Sequence, residues 1–228
     1  GEGGDELFAG YGRFRSVLKP WWLGGRAMRR RGIFDGLGVL RSQITNWRDG
    51  IAAAEVTARI GGRSPLQVAQ AMDCTDWLPN DLLTKLDRCL MAHGVEGRTP
   101  FLDPRVAEVA FRVPDDLKIR GKHRKFLLRQ WLDRALPGGN AFAIKRGFTV
   151  PVGEWIAAEG ARLGPLVADD PGVAEVADPG AVVRLFRTQG KHEGQAAWTL
   201  LFYALWHRRH VRGVTPEGDV FECLAERG

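Results

Sequence analysis

Leu78-Pro79-Asn80-Asp81-Leu82-Leu83-Thr84-Lys85-Leu86-Asp87-Arg88-Cys89-Leu90 carries leucines at 78, 82, 86 and 90, and Leu83 with Val95 widens the same stripe. A recurrence every three to four residues is the signature of an amphipathic helix. Pro79 suits a first helical turn, where its missing N–H costs nothing. Asp81, Lys85 and Arg88 fall on the opposite side and share a polar face. Taken alone, that face is an ordinary solvated surface.

Working outward, the same period predicts a helix over Pro104 to Phe111 and another from Lys125 to Ala135, stopped by Pro137-Gly138-Gly139. Near the C-terminus Trp198, Leu201, Phe202 and Leu205 form an i, i+3, i+4, i+7 stripe. His207-Arg208-Arg209-His210 follows, with positive charge where the helix dipole favours it. Residues 158–195 are rich in Gly, Pro, Asp and Ala and read as loops with short helices. Strand signals are few, so the chain is expected to be mostly helical.

The chain has 228 residues, one large domain or one and a half small ones at about 150 residues each. Its 44% apolar and 26% charged residues exclude a disordered chain. The net charge of +6 is local. Between Tyr11 and Arg48 lie nine Arg or Lys residues and one acid, Asp35, an excess of eight that leaves minus two for everything else. A nearly neutral protein with one basic segment results, not one with a basic field over its surface. Cys74, Cys89 and Cys223 are too few and too far apart for a disulfide framework or a zinc ribbon, and His93 and the other histidines lack metal-ligand spacing. No apolar run of about 18 residues spans a membrane. A reducing, cytoplasmic setting is expected.

The segment richest in chemistry is Gly1-Glu2-Gly3-Gly4-Asp5-Glu6-Leu7-Phe8-Ala9-Gly10-Tyr11. Glycines let a backbone approach a phosphate, and an acid in the same turn can hold the accompanying magnesium. A helix starting near Asp5 would aim its N-terminus at that site. A flexible loop with a capping Asp is the plain alternative. Further segments are Met91-Ala92-His93-Gly94-Val95-Glu96-Gly97-Arg98-Thr99-Pro100-Phe101-Leu102-Asp103, Lys125-Phe126-Leu127-Leu128-Arg129, and Ile144-Lys145-Arg146-Gly147-Phe148-Thr149-Val150-Pro151.

In this order the segments resemble the synthetase domain of glutamine-dependent asparagine synthetases. Gly1 to Tyr11 matches that family's Ser-Gly-Glu-Gly-x-Asp-Glu-x-Phe-x-Gly-Tyr except for the leading Ser. Leu78 to Asp103 matches Leu-Pro-x-Asp-Leu-Leu-x-Lys-x-Asp-Arg running into Met-Ala-x-x-x-Glu-x-Arg-x-Pro-Phe-Leu-Asp. The Lys-x-x-Leu-Arg helix and the Lys-x-Gly-Phe-x-Val-Pro loop follow at Lys125 and Lys145, and Trp198 and Trp206 lie in a segment like the family's closing helix.

The resemblance implies a two-step amidation: a carboxylate, aspartate in the family, attacks ATP to form an acyl-adenylate and pyrophosphate, and ammonia from glutamine displaces AMP. It makes Asp5 the magnesium ligand, Lys145 the phosphate-side cation, and Gly1 and Lys125 nucleotide contacts. Glu2 stands where the family keeps a carboxylate important for the adenylated intermediate, and it could take a proton from attacking ammonia. Glu96 and Arg98 are expected to be a structural pair, since buried polar groups need partners. The fold implied is the mostly α-helical remainder of an α/β nucleotide-hydrolase-like (ATP pyrophosphatase) domain lacking its N-terminal strands. Residues 1–228 would be its C-terminal portion.

Departures bear on the substrate. The family's Ser-Gly-Gly-x-Asp-Ser phosphate-gripping loop is not in this sequence, nor is its N-terminal glutaminase, and both normally precede the position of Gly1. Leu90 and Gly94 replace residues that are commonly Ser, and Gly97 a commonly larger one. A relative acting on another carboxylate, such as a β-lactam synthetase or a lasso-peptide cyclase, is the enzymic alternative. Because β-lactam enzymes carry Tyr at the position of Glu2, its retention as Glu favours external ammonia. From a different class, Tyr11 to Arg48, with Trp21-Trp22 and Arg29-Arg30-Arg31, could bind RNA or an anionic membrane. One short basic segment is more economically an insertion folded over the synthetase cleft, so nucleic acid is not expected as the main partner.

Overall fold

The computed structural model describes residues 1–25, 32–59, 61–144 and 150–225. They divide into two compact units, one of residues 1–30 and 48–146, the other of residues 31–47 and 147–228. The basic segment is therefore shared between the units. Both are helical, and among the described residues the only sheet is one antiparallel pair of two-residue strands.

The first unit is built on α4 (Pro65–Met72), whose Leu66, Val68, Ala69, Gln70, Ala71 and Met72 are all buried. Its start is over-determined. Pro65 opens the helix, Ser64 Oγ accepts the Gln67 N–H at 3.1 Å, and Gln67 Oε1 accepts the Ser64 N–H at 2.8 Å, a capping box that satisfies two orphan donors. Around it lie α1 (Gly4–Leu7), α2 (Gly12–Leu18), α3 (Asp49–Ala58), α6 (Pro104–Arg112), α7 (Asp115–Lys118) and α8 (Phe126–Ala135). Between α7 and α8, β1 (Ile119–Arg120) pairs with β2 (His123–Arg124) across a two-residue turn whose Gly121 has φ 58°.

Three helices meet the expectation from periodicity in altered form. α6 ends at Arg112, one residue beyond the expected Phe111, and α8 starts at Phe126 with Lys125 as its N-cap. The leucine-rich helix starts differently. Met72 passes directly into a π-helical stretch, Asp73–Leu83, and α5 (Thr84–Met91) follows. Pro79 lies inside that stretch rather than at a first turn, where it removes one backbone donor from the helical ladder.

The second unit bears out the short helices expected in residues 158–195 and leaves less loop between them than expected. They form α10 (Gly160–Ala168), α11 (Pro171–Val176) and α12 (Pro179–Arg187), joined by α9 (Val152–Ala158), α13 (Lys191–His210) and α14 (Val220–Ala225) around one apolar core. The glycines are there for contact. A Cβ on Gly160 would stand 1.9 Å from the Phe186 carbonyl oxygen, and one on Gly194 would stand 2.6 Å from Gly153 Cα. Small residues thus let helices cross at backbone range. Asp170 and Asp178 cap α11 and α12 through backbone N–H groups, each followed by Pro at the first helical position.

The same close packing rotates α13. Ala196, Ala197, Leu200, Leu201 and Ala204 face the core, whereas Trp198 is 48% and Phe202 58% exposed. The expected Trp198, Leu201, Phe202, Leu205 stripe is therefore half right: Leu201 is buried and Leu205 packs on the core, while alanines and not Trp198 fit between the closely crossing helices.

Candidate active site

The first unit brings the glycine-rich turn against the Phe101-Leu102 corner. A Cβ on Gly3, which has φ 86°, would lie 2.2 Å from Leu102 Cδ2, and one on Gly4 would lie 3.3 Å from the Phe101 ring. Phe8 adds an edge-on contact with Phe101 at 5.9 Å between centroids. Gly3 is therefore required by packing and by its positive φ, and Gly4 sits in a tight contact, a different reason from the approach of a phosphate that their type alone suggested. The helix expected near Asp5 is a single turn, α1, with Gly3 as its N-cap.

The glycine that shapes the chemistry is Gly10. Asp5 Oδ1 is 2.9 Å from Lys125 Nζ, and a Cβ on Gly10 would sit 1.7 Å from that same Oδ1 and 2.3 Å from Lys125 Cε. Both side chains are partly exposed. Lys125 reaches Asp5 because the β1–β2 turn delivers it at the start of α8 in a left-handed conformation, φ 51°. Arg129 braces the far side of this corner, with Nε donating to the Arg124 carbonyl at 2.9 Å and Nη1 to the Ala141 carbonyl at 2.6 Å.

Around the pair lies a set of hydrogen-bonded polar groups, of which Glu6, Gln70, Asp73 and Lys118 are buried. Glu6 accepts the Tyr11 hydroxyl at 2.6 Å, and burial followed by that bond pushes the Tyr11 hydroxyl well above its ordinary range. Arg13 donates to Asp73 Oδ2 from Nη2 at 2.6 Å and from Nε at 3.2 Å, with its guanidinium over the Tyr11 ring at 4.1 Å. Gln70 and Lys118, both fully buried, complete the layer.

Of the residues singled out from the sequence, Asp5 and Lys125 meet directly. Gly1 is exposed and Glu2 half-buried at the start of the same turn. Lys145 lies outside the described residues, with Arg146 to Thr149. Glu96 and Arg98 do pair, at 2.9 Å, but on the surface, so the expectation that burial joins them is corrected. Asp81, Lys85 and Arg88 form an exposed polar face. Gln70, Lys118, Arg13 and Asp73 were not singled out. Only Gln70 gave a signal, as an amide flanked on both sides by apolar residues, Val68-Ala69 and Ala71-Met72.

The magnesium that the resemblance implies takes one or two carboxylates, phosphate oxygens and waters. Among the described residues no group of three or more His, Cys, Asp or Glu could enclose an ion. Asp5 offers one partly exposed carboxylate, which fits an ion carried in on phosphate and not a cage of the protein's own. No helix among the described residues is long and apolar enough to cross a membrane.

The model of the asparagine synthase family matches residues 1–208, which include this whole unit and every residue of the turn. The chain belongs to the asparagine synthase family. Its relatives include a putative asparagine synthetase (glutamine-hydrolyzing) of Mycobacterium tuberculosis, 29% identical over 261 residues that cover 95% of this chain and 40% of the relative. Asparagine synthetase (glutamine-hydrolyzing) 1 of Bacillus subtilis is 25% identical over 253 residues, 92% of this chain and 40% of that protein. The chain thus spans about 40% of the length of the curated relatives it matches. No solved structure matches it significantly. As an asparagine synthase family member, the chain is related to ligase-type enzymes of asparagine biosynthesis.

Proposed function

We propose that residues 1–228 are the C-terminal portion of the synthetase domain of a cytoplasmic, glutamine-dependent asparagine synthetase with the α/β nucleotide-hydrolase-like fold. The parent enzyme adenylates aspartate with ATP and transfers ammonia, released from glutamine by a glutaminase domain, to give asparagine, AMP and pyrophosphate. The observation that carries this reading is the Asp5–Lys125 pair, 2.9 Å apart in the cradle left by Gly10, within a chain of this family.

A carboxylate is a poor electrophile, and adenylation supplies the leaving group. Charge then accumulates on the phosphates, and fixed cations must offset it. Lys125, held on its partner until nucleotide enters, contributes one positive charge and Lys145 a second. The exposed Gly1 offers its backbone to the nucleotide. Magnesium, when bound, neutralises phosphate oxygens as a Lewis acid, and Asp5 is the carboxylate that holds it. Glu2 helps form and hold the acyl-adenylate, and then takes the proton that the attacking ammonia must lose.

The test is acid-dependent exchange of pyrophosphate into ATP by the full-length protein, comparing aspartate with other carboxylic acids as acceptors. Lys145→Ala is expected to abolish exchange and Glu2→Ala to reduce it. Undiminished exchange in both variants removes the assignments, and exchange driven by a different acid moves the substrate to another carboxylate.

A further inference from the structure

One buried circuit behind the turn is not used by this mechanism. Gln70 Nε2 donates to two adjacent carbonyl oxygens at the end of α1, that of Glu6 at 2.7 Å and that of Leu7 at 2.6 Å. Gln70 Oε1 accepts from Lys118 Nζ at 2.9 Å. The amide has one possible orientation. A lysine ammonium only donates and a backbone carbonyl only accepts, so the oxygen must face Lys118 and the nitrogen must face α1. Lys118 lies at the end of α7, immediately before β1, and Lys125 lies immediately after β2. One hairpin therefore reaches the Asp5 turn from both ends. Lys125 meets the Asp5 carboxylate, and Lys118, through Gln70, holds the carbonyls one and two residues beyond it.

We propose that Lys118 and Gln70 are positioning residues for Asp5, a relay that fixes the α1 turn so that the carboxylate stands against Lys125 in the Gly10 cradle. Burying an ammonium whose one hydrogen bond among the described residues is to a neutral amide is costly, and burial pushes the Lys118 ammonium below its ordinary range. Packing alone does not call for such a group, because an apolar side chain of that length would fill the space. The relay supplies what packing does not: partners for two carbonyls at the end of a one-turn helix, which cannot hold itself. The inference rests on the reading of Asp5 as the magnesium-side carboxylate.

The experiment compares Lys118→Met, Gln70→Glu and the double variant Lys118→Met/Gln70→Leu with Asp5→Asn in the full-length protein. Two quantities are read: amide hydrogen exchange at Leu7 and Gly10, whose N–H groups bond the Gly3 and Asp5 carbonyls, and the magnesium concentration giving half-maximal pyrophosphate exchange. Loss of an outer-layer partner costs about 10–100-fold in metal affinity. Each relay variant is expected to speed exchange at Leu7 and Gly10 selectively and to raise the magnesium requirement about tenfold. The double variant, which also strands the Glu6 and Leu7 carbonyls, is expected to melt below Lys118→Met and to keep both defects. Gln70→Glu retains a partner for Lys118 and serves where the truncation does not fold. If a folded double variant shows a normal magnesium requirement and normal exchange at Leu7 and Gly10, the relay is only structural and the proposal is overturned. If Asp5→Asn shifts the requirement and no relay variant does, the relay fails while the reading of Asp5 stands. If Asp5→Asn leaves it unchanged, both fail.

Discussion

Replacing Gly10 by Ala separates the reaction from the fold. Gly10 is not among the positive-φ residues, so alanine meets no backbone penalty there. Only space is lacking: the new methyl would stand 1.7 Å from Asp5 Oδ1 and 2.3 Å from Lys125 Cε. Ordinary contact lies near about 3.5 Å, so the pair must retreat by roughly 1.5 Å. Overpacking of this kind costs about 1–3 kcal/mol of stability, here at the lower end because both side chains can swing outward. The rate is less forgiving. A displacement of about 1 Å in a reacting constellation costs on the order of 100-fold, equivalent to about 2.7 kcal/mol of barrier. Gly10→Ala is therefore expected to melt slightly early and to lose most of its pyrophosphate exchange in the full-length protein. Gly50→Ala is the control, since it lies inside α3 with nothing within 4 Å of its missing Cβ, and it should gain about 0.5–1 kcal/mol. A folded Gly10→Ala protein exchanging at the wild-type rate would refute the assignment of the Asp5–Lys125 pair to the reaction.

Two further outcomes concern the core. Asp170 is fully buried, caps α11 and faces His207 Nδ1 at 3.2 Å and Arg208 Nη1 at 4.0 Å; Asp170→Ala should cost about 3 kcal/mol of stability, and Asp170→Asn, which keeps the cap acceptor, should cost less in the same melting experiment. Burial pushes the Cys74 thiol up to about 12 from an ordinary 9.0. Between these values the unfolded chain has released the proton that the folded chain keeps, so the unfolded state binds fewer protons and stability falls as pH rises. Cys74→Ala should flatten that part of the profile, and an unchanged slope would show that another group is responsible.

What was legible in the sequence was local. The helices at 104–111 and 125–135 showed through periodicity and terminators, and the ordered motifs named Asp5 and Lys125 before any geometry placed them together. The short helices of residues 158–195 were expected but the loop between them was overestimated, because Gly160 and Gly194 have no local signature separating a turn glycine from one pressed against a neighbouring helix. The Asp-Pro pairs at 170 and 178 were the available clue, since each marks a capped helix start. The face of α13 was read correctly at Leu201 and Leu205 and wrongly at Trp198, because the space between crossing helices prefers Ala197 to a bulky ring. The Gln70–Lys118 bond joins residues 48 apart, and periodicity carries no information at that range.

The hairpin at 119–124 has a consequence for other members of the lineage. Surface turns usually tolerate insertion, but here both strands are two residues long and each is followed or preceded at once by a lysine tied to the same short helix. An added residue at Gly121 or Lys122 leaves no length of strand in which to absorb the slip. The interval from Lys118 to Lys125 therefore acts as a ruler: an aligned sequence that lengthens it should also have replaced one of the two lysines or the glutamine at position 70.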